Sequence, residues 1–210
     1  MNDKKRLIIG ISGASGSILG VCALKVLRLF PEWESHLVMT RGAALTIETE
    51  LGESIKEIEA LADVVHPAGD LAASVSSGSF HTEGMLVAPC SMKTAAGIAC
   101  GYSDNLLLRA ADVTIKERRR LVLLPREAPL SSIHLKNLLV LSDLGAVIFP
   151  PVPAFYQKPA GLDEVVLYVV GRALRCFGFD ETALYKPWEG SRNNNARYTA
   201  GSGENTVPAS

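Results

Sequence analysis

At 210 residues, 48% of them hydrophobic and 20% charged, the chain has material for one domain with a sizeable core and a short appendage. A net charge of −1 excludes the basic balance of nucleic-acid or membrane-surface binders, and no stretch approaches the length of a membrane span. Residues 1–6 are charged and lack the apolar segment of a signal peptide, and Cys22, Cys90, Cys100 and Cys176 are scattered without a CxxC pair. That pattern points to a reducing, cytoplasmic setting rather than a disulfide framework or a zinc site.

Arg6-Leu7-Ile8-Ile9-Gly10-Ile11 is a short apolar run, broken at once by Ser12-Gly13-Ala14-Ser15-Gly16-Ser17; residues 18–30 then carry apolar side chains at helical spacing. A strand, a Gly/Ser turn and a helix open an α/β nucleotide-binding domain. Glycine lets the backbone approach a ligand, and N–H groups at a helix start favour an anion, so a phosphate is expected on Gly13-Ala14-Ser15.

Residues 35–40 read as a second strand ending in Thr40, and residues 42–50 and 54–61 as helical pieces, the latter with Ser54 and Glu57 at capping-box spacing. Residues 63–66 form a short strand, and residues 70–80 a serine-rich polar loop. A buried-type strand over 84–89 runs into Cys90-Ser91-Met92-Lys93-Thr94, where a helix begins that continues to about residue 100. Residues 106–117 are helical and lead through Arg118-Arg119-Arg120 to an apolar strand over 121–124, which ends in Pro125-Arg126-Glu127. A helix over 131–144 closes at Gly145, and 146–149 is the last strand. Pro150-Pro151-Val152-Pro153 cannot continue it, so Phe155 and Tyr156 ride on a rigid loop before a final helix over 162–177.

Strands alternating with helices predict a parallel sheet covered on both faces, a Rossmann-like (flavodoxin-like) single α/β domain over residues 1–180. Residues 181–210 lack apolar periodicity and read as a partly flexible tail, in which Tyr185 and Trp188 could dock on a neighbour.

The Gly/Ser turn matches neither a P-loop, since Gly16-Ser17 stands where that motif has Gly-Lys, nor a strict GxGxxG. Its other reading, on pattern alone, is a tight strand–helix turn. It gains weight from Thr40, Ser91, Met92, Lys93, Thr94 and Arg126, which lie at carboxyl ends of other predicted strands, where open α/β sheets bind ligands. Their hydroxyls and amides suit the phosphate and ring edges of a mononucleotide, and one cation suits its remaining charge. Lys116-Glu117-Arg118-Arg119-Arg120 reads first as a solvated helix end. Tyr156 is a loop aromatic or a site residue, and Arg172 sits in an otherwise apolar helix, where a guanidinium needs a partner or an exit to solvent. His36, His66, His81 and His134 lack ligand spacing and read as structural or surface residues, so no metal is expected, and no Ser/His/Asp order emerges.

Taken together, Gly10-Ile11-Ser12-Gly13-Ala14-Ser15-Gly16, Ser76-Ser77-Gly78-Ser79-Phe80, Pro89-Cys90-Ser91-Met92-Lys93-Thr94, Arg109-Ala110-Ala111-Asp112-Val113, Lys116-Glu117-Arg118-Arg119, Pro125-Arg126-Glu127-Ala128-Pro129-Leu130 and the run from Pro150 to Tyr156 form one ordered series. It closely resembles the UbiX-like flavin prenyltransferases, over about residues 7–177. The resemblance implies a transferase rather than a decarboxylase: FMN, once reduced, is alkylated at N5 and C6 by dimethylallyl monophosphate, and the prenylated FMN goes to a UbiD-like partner decarboxylase. By that likeness Gly13, Ala14, Ser15, Thr40, Ser91, Met92, Lys93, Thr94 and Arg126 would hold FMN. Arg109, Lys116, Glu127, Tyr156 and Arg172 would surround the prenyl phosphate, several of them contributed by a neighbouring subunit of a homo-oligomer, a dodecamer in this family.

Ser15 and Glu50 match the positions implicated in proton movements after C–N bond formation. Thr40 stands where many relatives have Ser, and Glu48-Thr49-Glu50 where they usually place Glu-Thr-Asp. Two other readings compete. An FMN-dependent cysteine decarboxylase would carry an early catalytic His and an Asn-containing motif, which are not found. A carrier that leaves FMN unmodified needs only one phosphate site, which Lys116, Tyr156 and Arg172 exceed.

Overall fold

A computed structural model describes residues 4–180; the predicted docking residues Tyr185 and Trp188 lie outside them. The apolar runs become parallel strands β1 (Lys5–Ile11), β2 (Trp33–Met39), β3 (Val64–Pro67), β4 (Gly84–Cys90), β5 (Arg120–Pro125) and β6 (Val147–Ile148). They pair in the order β3-β2-β1-β4-β5-β6. The chain winds outward from β1 in one direction and from β4 in the other, so the crevice of this α/β sheet falls between those two strands.

Successive strand residues point to opposite faces, and the core divides accordingly. Leu7, Ile9, Ile11, Leu86, Ala88 and Val122 pack beneath α1 (Ile18–Leu27) and α7 (Leu162–Arg175), with α2 (Arg41–Leu51) and α3 (Ile55–Glu59) at the edge. Ile8, Val38, Met85, Val87, Leu121 and Leu123 pack beneath α4 (Met92–Ala99), α5 (Leu106–Lys116) and α6 (Ser132–Asp143). Central strand β4 is buried at every position, as the unbroken apolar run 84–89 implies.

Most differences from the sequence reading lie at element ends. The second strand starts at Trp33 and stops at Met39 because Thr40 is the N-cap of α2, its hydroxyl accepting from the Ala43 amide at 3.2 Å. The capping box at Ser54 and Glu57 forms in both directions. The last strand shrinks to Val147–Ile148, and the serine-rich loop contains one 3₁₀ turn at Ser74–Ser76. Arg119 of the basic run donates to the carbonyl oxygens of Gly78 and Phe80 at 2.6 and 2.8 Å, so it ties this loop down rather than standing in solvent. On α6 the side chains of Ile133, Leu135 and Leu139 are exposed, an apolar surface that one chain leaves uncovered.

Candidate active site

A cavity of about 440 Å³ opens at the carboxyl ends of β1, β2 and β4. Gly13, Thr40, Ser91, Lys93 and Thr94 of the predicted cofactor set line it. So do Arg41 and Gly42 at the start of α2, Ala68 and Gly69 after β3, and Asn105 at the start of α5, which the sequence reading passed over. The signal for Arg41 and Gly42 was their position immediately after Thr40; for Gly69, a glycine just past a strand end.

Close backbone contact shapes one wall. A Cβ built on Gly13 would stand 3.0 Å from the Gly42 carbonyl carbon and Cα, so the turns after β1 and β2 meet without side chains between them. Ser12, only 1% exposed, joins the turns after β1 and β4: its hydroxyl donates to the Pro89 carbonyl at 2.9 Å and accepts from the Ser91 amide at 2.8 Å. Ser91 in turn caps α4, accepting from the Thr94 amide at 3.2 Å and donating to the Thr94 hydroxyl at 3.0 Å. The hydroxyl-rich start of α4 is thereby held rigidly against the cavity.

The start of α1 is occupied by a carboxylate of the chain itself. Glu50, at the end of α2, accepts from the Gly16 amide at 3.0 and 3.1 Å, the Ser17 amide at 3.0 Å and the Ser17 hydroxyl at 2.8 Å. The helix-start amides are therefore satisfied by the chain's own carboxylate, and a phosphate would have to use the Gly13-Ala14-Ser15 turn ahead of them. Partial burial disfavours the Glu50 charge, but hydrogen bonds from the Ser15 and Ser17 hydroxyls and the Ser17 and Gly16 amides outweigh it and hold the carboxyl below its ordinary range. Ser15 and Glu50, the predicted catalytic pair, are thus brought together. Arg126 reinforces the same turn, its Nε donating to the Ser15 carbonyl at 3.0 Å. Ala14, Ser15, Met92 and Arg126 are not among the residues that line this cavity.

One chain does not gather the predicted phosphate-binding residues around this cavity. Glu127 is exposed beside Arg126 and accepts from the Ala128 amide at 3.0 Å. Arg109 lies one turn into α5 and donates to the Ser76 carbonyl at 3.2 Å and to Asp112 at 2.7 Å. Lys116 ends α5, paired with Glu117 beside Gly78. A helix of 11 residues spans about 16 Å, so Lys116 points to the far end of the sheet from the cavity of its own chain. Tyr156 and Arg172 form a third group around Tyr168, a residue the sequence reading missed. The hydroxyls of Tyr156 and Tyr168 are 2.6 Å apart, and the Arg172 guanidinium lies 5.7 Å from the Phe149 ring centroid and 5.9 Å from that of Tyr168.

The histidines that are buried serve the sheet edge: His36 Nδ1 lies 2.9 Å from His66 Nε2, and His36 Nε2 lies 2.8 Å from Glu34. Burial, and then the neighbouring His36, push the His66 pKa down. Among the described residues no group of His, Cys, Asp and Glu could hold a metal ion, and no helix is long and apolar enough to cross a membrane.

The Flavoprotein family profile matches residues 1–173. The flavin prenyltransferase UbiX of Escherichia coli K12 is 52% identical over 188 residues, which is 89% of this chain and 100% of that protein. A crystal structure of AnUbiX in complex with FMN and dimethylallyl pyrophosphate superposes with a TM-score of 0.87 at 48% identity, covering 89% of this chain and 98% of that one. A dodecameric FMN-dependent UbiX-like decarboxylase from Escherichia coli O157:H7 superposes with a TM-score of 0.85 at 52% identity, covering 88% and 99%.

Proposed function

The chain belongs to the UbiX-like flavin prenyltransferases of the Flavoprotein family, and on that premise we propose how its residues divide the reaction. The activity is transfer of a dimethylallyl group to reduced FMN, whose product serves a UbiD-like decarboxylase. The observation that carries the reading is the cavity at the β1/β4 crevice, with a wall of bare backbone at Gly13 and Gly42 and a polar lining from Thr40, Ser91, Lys93 and Thr94. Side chains in place of those two glycines would fill the wall, and the hydroxyls and lysine match the polar edges and charge of a mononucleotide, so the residues present fit FMN.

When bound, reduced FMN supplies the nucleophilic N5 and C6 that receive the prenyl unit. The side chains supply the rest. Gly13, Ala14, Ser15, Thr40, Ser91, Met92, Lys93, Thr94 and Arg126 form the FMN set, those that line the cavity touching the ligand and Arg126 fixing the Ser15 turn. As the carbon–oxygen bond of dimethylallyl monophosphate breaks, the phosphate leaves with the electron pair. Arg109, Lys116, Tyr156 and Arg172 then stabilise it through charge-assisted hydrogen bonds, without a metal. Glu127 is assigned to the same donor site, beside Arg126. The proton lost on ring closure passes to the ionised Glu50 with Ser15 beside it. The completed donor site must exclude water, because a free allylic cation would be hydrolysed.

Because Arg109, Lys116 and the Tyr156–Arg172 group lie apart in one chain, the donor site is completed across a homo-oligomer. The exposed apolar face of α6 and the dodecameric relative support that assembly. We also assign residues 1–180 to the catalytic domain, residues 181–210 to a tail, and the protein to the cytoplasm, the last on its free, unpaired-in-sequence cysteines. Arg172→Ala tests the reading against a simple carrier: FMN affinity should stay within about twofold of wild type while prenyl transfer falls by about a hundredfold or more. A variant that prenylates FMN at the wild-type rate would overturn the assignment.

A further inference from the structure

We propose that Tyr168 is a positioning residue of the donor site, aligning the Tyr156 hydroxyl and the Arg172 guanidinium so that both donate to one phosphate. The proposal rests on the assignment of Tyr156 and Arg172 to that phosphate. Tyr168 precedes Arg172 by four residues on α7, so their side chains lie on the same helix face. It is 9% exposed, whereas Tyr156 is 51% exposed on the turn that follows Pro150-Pro151-Val152-Pro153. The buried tyrosine is therefore the fixed member of the pair and the exposed one the presented member.

The donor inventory allows one hydrogen-bond direction that serves an anion. A guanidinium can only donate, while a phenol has one proton and two lone pairs. Arg172 hydrogen-bonds the Tyr168 side chain, so Tyr168 accepts there. Across the 2.6 Å contact, where either hydroxyl can donate, we take Tyr168 as the donor and the Tyr156 oxygen as the acceptor. In that direction the Tyr156 proton points away from Tyr168. Each donor in the series Arg172, Tyr168, Tyr156 polarises the next, which strengthens the last one as a donor to an anion. Burial, followed by the contact with Tyr156, raises the Tyr168 pKa, so the phenol stays protonated through neutral pH. Stacking of Arg172 over Phe149 and Tyr168 holds the guanidinium beside the same hydroxyls.

The test compares Tyr168→Phe, Tyr156→Phe and the double variant in the full-length protein under anaerobic conditions. The readouts are KM for dimethylallyl monophosphate, kcat, FMN affinity and melting temperature. Tyr168→Phe keeps the ring and its packing, so melting temperature and FMN affinity should match wild type. KM should rise about tenfold for the loss of one aligned donor to a charged group. Because Tyr168 acts through both Tyr156 and Arg172, the double variant should lose less than the product of the two single losses. The proposal is overturned if Tyr168→Phe leaves KM unchanged, if the two losses multiply, or if FMN affinity or melting temperature falls in parallel with activity. A Tyr156→Phe variant with wild-type KM would instead refute the underlying assignment of Tyr156, and the role of Tyr168 with it.

Discussion

Replacing Gly20 by alanine probes the seat of α1 on the sheet, and with it the turn proposed to hold FMN. A Cβ at Gly20 would lie 2.4 Å from the Ala88 carbonyl oxygen and 2.7 and 2.8 Å from Cγ1 and Cδ1 of Ile11. The end of the Ile11 side chain can rotate away. The Ala88 oxygen cannot, because it belongs to the backbone of β4, which is buried along its whole length. Overpacking of this kind costs about 1–3 kcal/mol, and with a rigid backbone as the obstacle the cost lies near the upper end. Alanine returns about 1 kcal/mol of helix propensity over glycine, leaving a net loss of about 2 kcal/mol. Urea unfolding followed by circular dichroism should show a lower midpoint with an unchanged slope, since the exposed surface is the same. Displacement of α1 would also shift Gly16 and Ser17 against Glu50, so FMN affinity should fall several-fold in the same variant. A Gly20→Ala protein as stable as wild type, with unchanged FMN affinity, would show that α1 has room the geometry denies.

The acid limb of stability offers a second check. Glu50 titrates below its ordinary range when folded, so its contribution is complete above the unfolded carboxylate pKa of about 4.3 and is lost as pH falls through the lower folded value. Glu50→Gln should therefore flatten the decline of the urea midpoint in that acid range; an identical decline would remove Glu50 as its source. Arg126→Ala deletes the donor to the Ser15 carbonyl and should weaken FMN binding about tenfold in a fluorescence titration, with a smaller effect on melting temperature. Unaltered FMN affinity would mean that the turn is held without Arg126.

What could be read from the sequence followed from local rules. The break from apolar run to glycine and serine marked the end of β1 and the start of α1, and the unbroken apolar stretch marked β4 as central. The rule that ligands meet strand ends led to Gly13, Thr40, Ser91, Lys93 and Thr94, which share one cavity. Residues whose roles depend on distant partners were illegible. Ser12 looks like any turn serine until β4 is placed beside β1 and its hydroxyl bridges Pro89 and Ser91. Nothing local says that Glu50 will occupy the start of α1, a contact between residues 34 apart. The Ser131–His134 capping box was missed because the reciprocal acceptor is a histidine rather than Glu or Gln. Arg109, Lys116 and Arg172 were tied to a phosphate through resemblance alone, and a single chain keeps them apart because helix α5 carries Lys116 a full helix length from the cavity rim.

The most direct measurement is the mass of the flavin. The protein is mixed anaerobically with FMN, reduced with dithionite, and incubated with and without dimethylallyl monophosphate, and the extracted flavin is weighed by mass spectrometry. A flavin heavier by one C5H8 unit, formed only with the donor present, is the predicted result. Unmodified FMN from protein that demonstrably binds it would contradict the prenyltransferase assignment and leave a carrier in its place.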